Sequence, residues 1–252
     1  KEAQRLGYAE ADPTFDIEGI DTAHKLTIIA SLAYGIPLSF DAVYKEGITR
    51  ITAEDIQLAS ELGYKIKLLA IAKAVDGQVE LRVHPTMVPA DYMIAKIDGV
   101  FNAIYVEGDA VGATLYYGRG AGDMPTGSAV VADIVDIGRD IVSGGVRRSL
   151  GISAAGAEYS VRPMSDIESM YYFRFTALDQ PGVLSKISGI LGTYNISIAS
   201  VIQKGRSTSS SVPLVVLTHT ARERDVNRAI ADIDALPVVS EKSLVIRVEG
   251  KE

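Results

Sequence analysis

The chain has 252 residues, 47% hydrophobic and 23% charged, with a formal net charge of −7 from 25 basic and 32 acidic side chains. This is a globular composition long enough for about two domains; its acidic balance, with no stretch joining Lys and Arg to aromatics, argues against nucleic acid as a partner. Zero cysteines remove disulfides, thiolate metal sites and cysteine nucleophiles and suit a reducing, cytoplasmic setting, while the most apolar run, residues 26–34, is too short to span a bilayer, so no membrane partner is expected.

The opening KEAQRLGYAEADP starts inside a charged helical pattern, with neither methionine nor a leading strand, so a preceding N-terminal part is expected. Ile20, Ala23, Leu26 and Ala30 fall at helical spacing and predict a buried helix over 19–34, ended by Gly35 and Pro37. A second helix is expected from Thr52, with Asp55 completing an imperfect capping box, toward Gly63. KLLAIAKAVDGQVELRVHP reads as two strands flanking Asp76-Gly77, and NAIYVEGDAVGATLYYG as two more flanking Gly108-Asp109. Together they predict a largely antiparallel or mixed sheet with helices. A further helix, AVVADIVDIGRDIV, follows the glycine-rich turn at 118–122.

The stretch 143–169 is rich in Gly, Ser and Arg and lacks apolar periodicity, so a domain boundary is placed near residue 165. Beyond it the order is strand, helix, strand, strand, helix, strand, a βαββαβ unit of ferredoxin-like type. The fold class is therefore α+β, with domains over 1–165 and 166–252. Tyr171, Tyr172, Phe173 and Phe175 are read as sheet core rather than a stacking platform, because strand alternation accounts for them.

Five carboxylates crowd the stretch GYAEADPTFDIEGIDTAHK at 7–25. A solvated acidic loop is one reading. Calcium is excluded, because the order from Asp12 to Gly19 lacks the alternating acids and sixth-position glycine of an EF-hand loop. Asp21 and Lys25 share a helix face. The spacing alone fits a surface ion pair contributing about 0.3–0.5 kcal/mol; it also fits a proton-transferring lysine, provided a dry pocket or a nearby cation lowers its pKa. Asp16 suits the N-cap of a helix beginning near Ile17 as well as a site role. The run GRGAG could make only a tight turn, with Thr126 or Ser128 capping the next helix. Glycines before a helix also let backbone amides approach a ligand. Arg119 is read as solvated. His24, His84 before Pro85 at a strand end, and His219 at the end of another are given no functional role.

The arrangement GYAExDPxxDxxGxDxxxK, carried by Glu10, Asp16, Asp21 and Lys25, resembles the substrate-site signature of homoserine dehydrogenase, and GRGAGDMPTGSAVVADI at 118–134 is similar to the second signature of that family. The βαββαβ tail, with DQPGVL at its first turn, resembles an ACT domain. The resemblance implies that Lys25 transfers the proton, that Glu10, Asp16 and Asp21 serve substrate binding, and that Gly122 contacts an NAD or NADP cofactor held mainly by an absent Rossmann unit. It also implies an amino-acid effector, L-threonine, at Asp179, Gly182, Val183 and Ser197. The expected reaction interconverts L-homoserine and L-aspartate 4-semialdehyde in threonine and methionine biosynthesis, by a homodimer or homotetramer. A stand-alone amino-acid sensor is the alternative, disfavoured because a sensor has no need of Glu10, Asp21 and Lys25 together.

Overall fold

A computed structural model describes residues 12–144, 159–203 and 211–250. Six α-helices and eleven strands occur among them. A short helix α1 (Thr14–Ile17) leads through Gly19, whose φ of 71° only glycine adopts readily, into α2 (Ile20–Tyr34). Helix α2 ends at Gly35 in the left-handed conformation, as its sequence predicts. Its inner face, Ala23, Leu26 and Ala30, packs on Val79, Leu81 and Val83.

Strand β1 (Tyr44–Lys45) precedes helix α3 (Ala53–Glu61), whose capping box is complete: the Asp55 amide donates to Thr52 Oγ1 at 3.3 Å and the Thr52 amide to Asp55 Oδ2 at 2.9 Å. Strands β2 (Tyr64–Val75) and β3 (Gln78–Pro89) pair antiparallel along their whole length around Asp76-Gly77, both with positive φ. That is the two-residue turn the dipeptide calls for. Strand β3 runs past the expected end, so His84 and Pro85 lie inside it. A strand tolerates proline where no partner needs its N–H, and Pro85 falls at a gap in the other edge of β3.

That edge takes three short parallel partners in turn. They are β6 (Ser160–Val161) at Gln78-Val79, β1 at Arg82-Val83, and β11 (Leu244–Val248) at Thr86-Met87. One nine-stranded mixed sheet thus runs through the chain from β2 to the tail. The hairpin of β4 (Phe101–Gly108) and β5 (Gly112–Arg119) instead forms its own two-stranded sheet, closed by a three-residue loop with Gly112 at φ 73°.

In the tail, β7 (Glu168–Leu178), α5 (Val183–Thr193), β8 (Ile198–Gln203), β9 (Ser211–Thr218), the two-residue β10 (Ala221–Arg222), α6 (Glu223–Asp234) and β11 follow one another, with sheet order β11-β7-β9-β8. Alternation divides β7 between two cores. Tyr171, Phe173 and Phe175 face Ile187, Leu191, Val226 and Ile233 of α5 and α6, whereas Tyr172 joins Leu58 and Ala59 of α3 and Met87 on the opposite face. All four aromatics are fully buried, in keeping with a core role. The Tyr172 hydroxyl has no hydrogen-bond partner among the described residues.

Candidate active site

Asp12 opens the site region by accepting, through Oδ1, the Thr14 amide at 3.1 Å and the Thr14 hydroxyl at 2.6 Å. Those bonds hold its carboxyl below the usual aspartate range. Asp16 lies within α1 and caps nothing. The N-cap of α2 is Gly19, because the chain needs a left-handed residue between two helices. Asp21 and Lys25 come together on the first two turns of α2, with Nζ 2.6 Å from Oδ2. Their side chains are 43% and 62% exposed. The same face continues in exposed Ile28, Ile29 and Leu32, so a charged pair stands at the end of an open apolar stripe. Glu10 lies outside the described residues. His24, beside Lys25 in sequence, is stacked on Phe40 at 4.3 Å, a packing role.

The turn that carries α2 is locked from two sides. Ile48 donates its amide to the Ile17 carbonyl at 2.8 Å. A Cβ on Gly47 would lie 2.3 Å from Glu18 Oε2 and 2.7 Å from the Ile17 oxygen, and one on Gly19 would lie 2.8 Å from Val83 Cγ1. Only glycines fit this close approach. Behind it is a buried polar layer that sequence reasoning missed. Arg247 of β11, 3% exposed, donates through Nε to Glu223 Oε2 at 2.9 Å, through Nη2 to Glu223 Oε1, and through Nη1 to Glu46 Oε2 at 2.8 Å. Tyr44 donates to the same Glu46 oxygen at 3.0 Å, and Tyr171 to Glu223 at 2.8 Å. Burial works against the Arg247 charge, but the Glu223 hydrogen bonds outweigh it and raise its pKa. Burial also pushes the Tyr44 hydroxyl up to about 12, so it remains a donor. Arg82 pairs with Glu249 at 2.7 Å and reaches His84 Nε2 at 3.0 Å. Polar residues at alternate positions of β3 (Glu80, Arg82, His84 and Thr86) are the one sequence signal that could have exposed this layer.

The glycine turn before helix α4 (Asp123–Ser143) is shaped by two demands. A Cβ on Gly120 would lie 1.9 Å from Asn102 Nδ2 and would push that exposed side chain aside, and Gly122 has φ 121°. Helix α4 starts earlier than its apolar pattern suggests, since Pro125 is tolerated in a first turn whose amides have no intrahelical acceptor. Neither Thr126 nor Ser128 caps it: the N-cap is Gly122, with no side-chain acceptor. Arg119 is exposed, as expected. Asp98 accepts from Lys65 at 3.1 Å and Lys67 at 2.7 Å, tying the start of this arm to β2.

At the first turn of the tail, Gly182 (φ 89°) is the N-cap of α5 and Val183 is buried behind it. Asp179 Oδ1 accepts from Gln203 Nε2 at 2.9 Å, which brings in a residue the sequence did not single out. Ser197 is exposed at the opposite end of β8 from Gln203, so within one chain it does not join the other three positions.

Sheet order and connectivity define the tail as a ferredoxin-like ACT unit, fused through β11 to an α+β body that carries an Asp–Lys pair on its first long helix. Residues 171–238 match the ACT domain family and residues 1–135 the family described as homoserine dehydrogenase. The chain belongs to the homoserine dehydrogenase family. It is 50% identical to the homoserine dehydrogenase of Pseudomonas aeruginosa, with 98% of this chain and 58% of that protein covered, and 48% identical to that of Neisseria gonorrhoeae, with 99% and 58% covered. A crystal structure of a homoserine dehydrogenase from Thiobacillus denitrificans superposes with a TM-score of 0.89 at 50% identity, covering 98% of this chain and 57% of that one. The chain thus spans less than two thirds of the length of these relatives.

Proposed function

We propose that the chain is the substrate-binding and regulatory part of an NAD(P)-dependent homoserine dehydrogenase, interconverting L-homoserine and L-aspartate 4-semialdehyde in the cytoplasm, on the route to threonine and methionine. The observation that carries this reading is the Asp21–Lys25 pair on an open face of α2, within a family match that covers residues 1–135. Lys25, as the neutral amine, takes the hydroxyl proton of homoserine in one direction and, as the ammonium so formed, returns it in the other. Asp21 orients that ammonium, and Asp16 and Glu10 supply carboxylates suited to the substrate's own ammonium group.

The residues present fit a minor share of a nicotinamide site. Helix α4 begins uncapped after Gly122, leaving first-turn amides to donate. Asp123 in that first turn opposes a phosphate, so the end suits the uncharged nicotinamide carboxamide better than a pyrophosphate. When bound, the cofactor accepts or returns the hydride. We assign residues 1–165 to the substrate-binding and dimerisation unit and 166–252 to an ACT unit sensing L-threonine through Asp179, Gly182, Val183 and Ser197. A homodimer or homotetramer is favoured by the isolated β4–β5 hairpin, whose outer edges are unpaired among the described residues.

The test is homoserine-dependent reduction of NAD or NADP by a chain extended at its N-terminus to the length of the relatives. Turnover there, and none by residues 1–252 alone, is the expected result. An extended chain that ignores homoserine while binding threonine would favour the sensor.

A further inference from the structure

We infer that Glu46, held by Arg247 of the tail, is a positioning residue for the substrate turn at residues 16–21. The inference rests on the reading above, in which Asp16, Asp21 and Lys25 serve the reaction.

The chain of contacts is continuous. Arg247 Nη1 and the Tyr44 hydroxyl both donate to Glu46 Oε2, at 2.8 and 3.0 Å. The Glu46 amide donates to the Val83 carbonyl at 2.9 Å, while the side chain of Val83 fills the space against Gly19. The next residue, Gly47, touches Ile17 and Glu18, and the one after, Ile48, donates to the Ile17 carbonyl. Gly19 then accepts the amide of Ala23 at 2.9 Å, opening the helix that carries Asp21 and Lys25. A shift of Glu46 is therefore passed to α2 through backbone, without a flexible side chain between them.

Charge balance does not explain Glu46. Glu223 already meets Arg247 with both carboxylate oxygens, and it is 2% exposed. Glu46 is a second acid on a guanidinium that has its counter-charge. Its side chain is 25% exposed, so water is within reach, and two donors turn it inward instead. What those bonds accomplish is to fix the backbone at 46–48, the segment that grips the turn.

Arg247→Met would leave Glu223 in the interior with the Tyr171 hydroxyl but without its counter-charge, and is expected to unfold the protein. Two milder variants decide the question. Glu46→Gln keeps the size and one acceptor but weakens the charge-assisted bonds, and Gly47→Ala forces the segment off Ile17 and Glu18. Hydrogen exchange in the chain itself should quicken about tenfold at the amides of Ile48 and Ala23 in both variants, a factor in keeping with one weakened hydrogen bond. The amide of Ile196, bonded to Leu191 in the tail core, should stay unchanged. In the extended chain, the KM for homoserine should rise about tenfold on the same grounds, with the KM for the nicotinamide cofactor unchanged. Wild-type exchange at Ile48 and Ala23 overturns the inference, as does an equal rise in both KM values, which would mean general loosening. Lack of homoserine turnover by the unmutated extended chain would instead refute the proposed reaction, and the exchange rates would then decide the Glu46 linkage alone.

Discussion

Arg174 of β7 grips Asp55 of α3, with Nε 2.5 Å from Oδ1 and Nη2 3.3 Å from Oδ2. The same Asp55 closes the capping box with Thr52, and it is fully buried. One carboxylate therefore starts a helix of the body and fastens it to the central strand of the tail. Asp55→Ala removes both functions and leaves a guanidinium uncompensated, so unfolding in urea should show a loss of about 3 kcal/mol or more. Asp55→Asn, which can still accept from the Thr52 amide, should recover about 1 kcal/mol of that. Equal losses in the two variants would mean that the cap contributes nothing.

Acid should destabilise the fold, beginning with His84. Burial, then Arg247 and Arg82, holds its imidazole well below 6.5. Its Nε2 accepts from Arg82, and its Nδ1–H faces the Pro85 carbonyl and Thr86 Oγ1, both at 3.0 Å, so neither nitrogen has room for another proton. As pH falls below 6.5 the unfolded chain gains a proton here that the folded chain refuses, and the loss approaches about 1.4 kcal/mol per pH unit. Burial raises Glu249, but Arg82 and Lys73 outweigh it and hold it below 4.5. Its contribution is present above 4.5 and lost as pH falls through the folded value, so both groups act in the same direction. Thermal midpoints between pH 7 and 3 check this, and His84→Gln should flatten the profile between pH 6.5 and 5 while leaving the Glu249 loss below 4.5.

Replacing Lys25 by Ala in the extended chain should lower turnover of homoserine about 100-fold or more, the usual scale for a general acid or base. The loss should appear in kcat, measured at saturating cofactor. Undiminished turnover would return the Asp21–Lys25 pair to a surface ion pair.

L-Threonine should raise the melting temperature of this chain without any nucleotide-binding unit, because a ligand of the folded state stabilises it by about 2.7 kcal/mol at 100 times its dissociation constant. Gly182→Val should abolish the shift. The backbone there, at φ 89°, disfavours a β-branched residue, although a Cβ itself would meet nothing within 4 Å. Lys25→Ala should keep the shift. A response to another amino acid alone would replace the effector.

Light scattering at micromolar concentration should give the mass of a dimer or a dimer of dimers. Phe101 and Tyr117 on one face of the hairpin, and Ile104 and Tyr116 on the other, are exposed in a single chain, apolar surface that a second copy would cover. A monomer mass would contradict the assignment of residues 1–165 to dimerisation.

Local chemistry was legible from the sequence, and long-range pairing was not. Asp76-Gly77, Gly35 and the Thr52/Asp55 box each act over four residues or fewer, so the tight turn and the two helix ends could be read from the residue types. Lys25 and Asp21 were legible for the same reason, being one helical turn apart. Glu46 and Arg247 are drawn together only by the register of β1 and β11 on β3, which no local pattern encodes. Gln203 escaped notice because its partner, Asp179, lies at the other side of a helix and a strand in the chain. The long reach of β3 was hidden by Pro85, a residue that usually ends strands; here it pairs with Leu68 of β2 and falls between the β1 and β11 pairings on the other edge.

The shared edge of β3 also bears on how the chain is made. Its three parallel partners arrive from residues 44–45, 160–161 and 247–248, so Thr86 and Met87 wait for a neighbour that is synthesised long after β3 itself. Until then the Thr86-Met87 segment offers unpaired amides and carbonyls to any other nascent strand. Pairings so distant in sequence close slowly. Newly synthesised copies therefore pass through a vulnerable interval, and loss of β11 would leave that vulnerability permanent.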